Sequence, residues 1–153
     1  MTDALKRFES TGSRLRVGLF ESLIADACLM TGRIDEGTAR IESALRNIER
    51  YGEYGFRCNA LVTHGGLLEA QRDLPAAERS YLQAIEVAQS QGALSLELRA
   101  ARLAAVVMGR TQRVAQGRSL LAPIVDRFES GLQSVDLRLA REWMQAAGVT
   151  GLA

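Results

Sequence analysis

The residues that could do chemistry are few, and they are scattered. His64 is the single histidine, Lys6 the single lysine, and Cys28 and Cys58 the two cysteines. Histidine is the commonest general base. A triad would also need a nucleophile and an orienting acid, and no motif such as GxSxG accompanies His64. It stands one residue before Gly65 on an apolar helical face, so it reads as a partly buried packing histidine. Cys28 falls in a column of large apolar residues with Leu68 and Met108, which makes it a small hydrophobe of the core. Cys58 reads the same way, since nothing near it in sequence would depress its pKa. The two are too far apart in sequence for a close-spaced metal pair, and one histidine excludes a histidine-rich metal site. The lone lysine excludes a phosphate-loop lysine beyond the first turn, and no GxxxxGK[ST] is present. No cofactor or metal is expected.

The arginines are the more informative set. Arg99 and Arg102 are three apart, so on a helix both could fork toward one carboxylate. From Arg99 to Arg118 there are five arginines and no acidic residue. A phosphate-contact surface is therefore the alternative reading, as an anion- or nucleic-acid-binding repeat. It is the weaker one: stacking aromatics are missing there, and nineteen basic against eighteen acidic residues leave no global field for nucleic acid or anionic lipid. A small α-helical enzyme is the third possibility, and it lacks a carboxylate pair at useful spacing.

These side chains must be positioned by helices that recur. At a spacing of forty the small residues align as Ala25, Gly65, Ala105 and as Gly37, Ala77, Gly117. Large apolar residues align as Ile34, Leu74, Val114; Ile41, Tyr81, Leu121; Leu45, Ile85, Val125; and Ile48, Ala88, Phe128. Apolar spacing within each copy is helical. It predicts helices over 14–30, 35–50, 55–71, 75–90, 94–110, 114–129 and 135–147. Thr31-Gly32, Asp73 before Pro75, Gly52, Gly55 and Gly92 mark the turns, with Pro75 in a first helical turn. Pro123 lies inside the sixth helix and predicts a bend, with the helix continuing to Phe128. Ser134 is placed to cap a final helix that carries Leu137, Ala140, Met144 and Ala147, with Trp143 at the edge of the stripe. Ala4, Leu5, Phe8 and Gly12 fall on the columns of Ala44, Leu45, Ile48 and Gly52, so a half-unit stands in front.

Small residues at these places in a helix-turn-helix unit resemble the tetratricopeptide repeat. Gly65, Ala77, Tyr81 and Ala84 match its pattern in the second copy; Ala25, Gly37 and Ala44 match in the first, and Ala105 and Gly117 in the third. The period of forty exceeds that family's 34, and Glu49, Gln89 and Glu129 stand where it has a closing proline. HEAT-type repeats are the structural runner-up. The segments TGRIDEG (31–37), GALSLELRAA (92–101) and GRSLLAP (117–123) look like the C-terminal repeat region of large bacterial signalling proteins, of the adenylate/guanylate cyclase or LuxR-type kind that also carry an ATPase domain. No cyclase or ATPase motif is present to carry over.

The resemblance implies an all-α, right-handed α-α superhelix of three helix-pair repeats. Its parts would be a partial repeat helix over 1–12, repeats over 13–52, 53–92 and 93–132, and a capping helix with tail over 133–153. It implies a non-enzymatic, protein-binding or regulatory module whose first helices line a concave groove. The groove residues would be Ser22, Asp26, Asn59, Val62, Glu69, Arg99, Arg102 and Val106. Asn59 with Arg99 and Arg102 resembles the clamps by which such domains hold the acidic C-terminus of a peptide. A protein or peptide is the expected partner, with homo-oligomerisation through the N-terminal edge as a further possibility. No apolar run approaches the roughly 18 residues of a membrane helix. No secretory signal opens the chain, so the cytoplasm is expected.

Overall fold

The computed structural model describes residues 16–129 and 133–149, with the side chains of 148 and 149 left aside. The expectations resting on Ala4, Leu5, Phe8 and Gly12, and with them the N-terminal edge, lie outside the described residues. Those residues are all-helical: α1 (Val17–Met30), α2 (Ile34–Tyr51), a 3-10 turn (Tyr54–Phe56), α3 (Arg57–Ala70), α4 (Leu74–Ser90), α5 (Leu94–Arg110), α6 (Val114–Val125) and α7 (Val135–Val149). No strand occurs among them. None of these helices is long and apolar enough to cross a membrane.

The turns carry the repeat into the backbone. Gly32, Arg72 and Gln112, forty residues apart, have φ of 73°, 65° and 61°. In each turn the N–H of that residue donates to the carbonyl three back: Gly32 to Leu29, Arg72 to Glu69, Gln112 to Gly109. The next N–H donates five back: Arg33 to Cys28, Asp73 to Leu68, Arg113 to Met108. This paired closure satisfies the last carbonyls of a helix and needs a left-handed residue. The turn at the left-handed Gly92 repeats the pair, Gly92 to Gln89 and Ala93 to Ala88, while past the left-handed Gly52 only the five-back bond recurs, Glu53 to Ile48. Helix starts are less uniform. The Asp73 carboxylate accepts from the N–H of Ala76, and the Ser134 hydroxyl accepts from that of Leu137.

The chain divides into two compact units, at Ser80 and Tyr81 within α4. In the first, α1 and α2 form an antiparallel pair and α3 packs on both. Ala25, Ile41, Ala44, Ile48, Ala60 and Leu67 make its core, all wholly buried. Close approach is set by missing side chains. A Cβ on Gly37 would lie 3.4 Å from the carbonyl of Ala25 and 2.7 Å from Cδ2 of Leu67, and one on Gly18 would lie 2.6 Å from Cγ1 of Ile48. In the second unit α5 and α6 pair and α7 packs on both. A Cβ on Gly117 would meet the Ala105 carbonyl at 3.1 Å and Cη2 of Trp143 at 2.7 Å, and one on Gly109 would meet Cζ2 of Trp143 at 3.3 Å. The indole is thus a wedge between α5 and α6, which its place at the edge of an apolar stripe did not foretell.

One helix is shorter than its pattern. α6 runs through Pro123 but ends at Val125, short of Phe128. Proline has no N–H for the carbonyl of Ser119, and the chain beyond tightens to three-residue closures, Arg127 to Ile124 and Phe128 to Val125.

Candidate partner-binding site

The expected arginine pair converges as the spacing predicts, on a carboxylate of the chain's own. Both residues lie on α5, one turn apart. Nε of Arg99 donates to Oδ2 of Asp136 at 3.0 Å, and Nε and Nη2 of Arg102 donate to Oδ1 at 3.1 and 2.9 Å. Asp136 is in the first turn of α7, where the unpaired N–H groups of a helix favour negative charge. The two arginines are unequal. The side chain of Arg102 is 18% exposed and that of Arg99 48%, so Arg99 has a solvent-facing edge that Arg102 lacks.

The remaining expected groove residues separate by burial. Asp26 on α1 and Asn59 on α3 are exposed; Val62, Glu69 and, on α5, Val106 are half-buried. Ser22 is a correction: its hydroxyl donates to the carbonyl of Gly18 at 2.8 Å and the residue is buried. A short hydroxyl that bonds its own helix four residues back offers nothing to a partner.

Two buried carboxylates are satisfied by neighbouring side chains. Glu21 is buried and accepts from the Ser43 hydroxyl at 2.8 Å and the Asn47 amide at 2.7 Å. Glu97 is 2% exposed and accepts from Gln89 at 2.9 Å and from Nη1 of Arg127 at 2.7 Å. Neither carboxylate was singled out from the sequence, although both stand in helices whose neighbours in the stripe are apolar, which is the available signal. Asp136 was missed because its partners are more than thirty residues upstream.

His64 is half-buried on α3, with Nδ1 3.3 Å from the hydroxyl of Ser80. That hydroxyl donates its proton to the carbonyl of Leu61 at 2.9 Å, so toward the ring it acts as an acceptor. A serine whose proton is committed to a backbone carbonyl is not being activated by the imidazole. Burial holds the His64 pKa below its ordinary value, against the opposing pull of the Glu42 carboxylate. Cys28 and Cys58 are wholly buried, and neither is in a disulfide. Among the described residues no cluster of three metal-ligating side chains occurs.

An open depression of about 480 Å³ runs along α7, lined in part by Ser134, Arg138, Arg141, Glu142 and Gln145. Arg138 and Glu142, one turn apart on α7, are paired at 2.9 Å, so the charge there is partly neutralised in place.

Comparison with protein-family models, with curated proteins and with solved structures found no match.

Proposed function

We propose that this chain is a non-enzymatic protein–protein interaction module of the tetratricopeptide type, a regulatory scaffold that forms the C-terminal part of a bacterial signalling or transcription-regulatory protein. The observation that carries the reading is the recurrence, forty residues apart, of one helix–turn–helix closure at Gly32, Arg72 and Gln112. A chain built by repeating one unit makes extended surfaces rather than a single enclosed cleft, and binding then uses side chains of successive units. The three helix-pair repeats, their right-handed superhelix and the concave groove belong to this proposal.

Within the groove set, Asp26, Asn59 and Arg99 are the partner-facing residues, since these are exposed. Arg102 serves Asp136 and holds the start of α7. An acidic peptide end is the ligand class that Arg99 suits, through the side of the guanidinium that Asp136 leaves open.

Co-purification from the source cell tests this with the wild type and an Asp26→Ala/Asn59→Ala/Arg99→Ala variant. Partners recovered with the wild type and lost with the variant support the groove; equal recovery overturns it. A broad substrate screen tests the non-enzymatic part. Turnover that His64→Ala abolishes would replace the whole reading with an enzymatic one.

A further inference from the structure

A second open depression, of about 390 Å³, lies where α6 meets α7. It is lined by Arg118, Met144, Gln145 and the same Arg141 that borders the first. Arg118 is on α6, and Arg141 and Gln145 are one turn apart on α7. The Trp143 ring against Gly117 sets how closely these helices approach, and Arg118 is the residue next to that contact. Two guanidiniums from different helices are thus brought to one space.

Neither has a counter-ion of the chain's own. Among the described residues no carboxylate pairs with Arg118 or Arg141, whereas Arg99 and Arg102 have Asp136, Arg127 has Glu97 and Arg138 has Glu142. Arg141 is nevertheless half-buried, so its charge is partly withdrawn from water without compensation. Register shows how far this departs from the earlier unit. Arg141 and Gln145 stand eighty residues after Leu61 and Gly65, which are buried on α3, where the Ser80 hydroxyl lies against the Leu61 carbonyl. Two like charges that border one space repel, and an anion between them turns that cost into attraction.

We infer that this depression binds a phosphate group, either free or carried on a phosphorylated side chain. The donor set chooses the anion. A carboxylate has two oxygens and one charge, which a single arginine fork satisfies. Two forks and the Gln145 amide suit an anion with more acceptor oxygens and nearly two charges, as a phosphate has at neutral pH. The site uses none of Asp26, Asn59 and Arg99, so it stands apart from the partner-binding reading.

Trp143 is the reporter, since the single tryptophan of the chain gives one indole N–H resonance beside the site. The full chain is titrated with sodium phosphate at about pH 7.5, where the dianion prevails, with sodium chloride holding the ionic strength constant. The expected result is a saturable shift of that resonance, half complete at about 1 mM. Arg118→Gln and Arg141→Gln should each raise that concentration about tenfold or more, with the helical dichroism unchanged. If Arg141→Gln unfolds the second unit, the exposed Arg118 still decides the matter. Tighter binding of a short neutral peptide bearing phosphoserine than of inorganic phosphate identifies a phosphorylated side chain as the source; the reverse order identifies free phosphate. A shift that does not saturate overturns the inference. So does one that acetate reproduces at equal ionic strength, or one that survives the substitutions unchanged.

Discussion

Arg99 and Arg102 reach the same carboxylate, yet their exposure gives them different work. A guanidinium that is half in solvent adds on the order of 0–1 kcal/mol through such a pair, because water screens the charge. The 18% exposed Arg102 makes two of the three hydrogen bonds, and removing their acceptor leaves a largely covered cation without it. Asp136→Ala should therefore cost about 1–3 kcal/mol in chemical denaturation, with Arg99→Ala costing well under half of that. His64 gives a pH signature whose sign is fixed by its lowered pKa. The unfolded chain takes up a proton near the ordinary 6.5, while the folded chain resists it. That part of the stability is complete above this value, declines as pH falls through it, and levels off below the folded pKa. A His64→Gln variant should lose the decline, as followed by denaturation midpoints between about pH 7.5 and 5. At this scale the sequence showed the convergence of two arginines, because helical spacing is local. It did not show whose carboxylate they meet, since Asp136 is far along the chain and its approach depends on how α7 packs.

Helices were the most legible level, because small and large residues recur in a fixed register and left-handed turn residues close α1 to α5. Ala25 meeting Gly37, and Ala105 meeting Gly117, follow from columns that the forty-residue spacing alone defines. The end of α6 at Val125 was not legible, because the apolar columns continue to Phe128 while the backbone, disturbed at Pro123, does not. Two substitutions test the packing and turn arguments at this level. Gln112 holds a left-handed conformation that costs a side-chain-bearing residue energy, so Gln112→Gly should stabilise the protein by about 0.5–1 kcal/mol even after the extra freedom glycine has when unfolded. Gly117→Ala should do the reverse, by about 1–3 kcal/mol, since the new methyl would stand 2.7 Å from the Trp143 ring. A Trp143→Leu background should recover part of that loss, and thermal unfolding of the four proteins in the cycle measures the coupling.

Taken whole, the chain is nearly neutral, with a net charge of +1, so any partner must be recognised by local pairs rather than by a long-range field. Binding by way of Arg99 should weaken only modestly as salt rises, whereas nucleic-acid binding through many arginines would fall by orders of magnitude. Titration of a recovered partner at two ionic strengths separates these outcomes. In register, α7 differs in kind from α1. On α7, Arg141 takes the column of the buried Glu21, Leu61 and Ala101, and Gln145 that of Ala25, Gly65 and Ala105. Those side chains suit a face that meets water. The wedge between α5 and α6 has one more consequence, this time optical. Trp143 is the protein's single tryptophan and sits within the second unit. Its emission, excited at a wavelength where tyrosine does not absorb, therefore reports on that unit's integrity, while far-UV dichroism reports on every helix. Where dichroism falls before the emission changes, the first unit has come undone on its own; where emission changes first, the second has; where they coincide, one cooperative transition takes both.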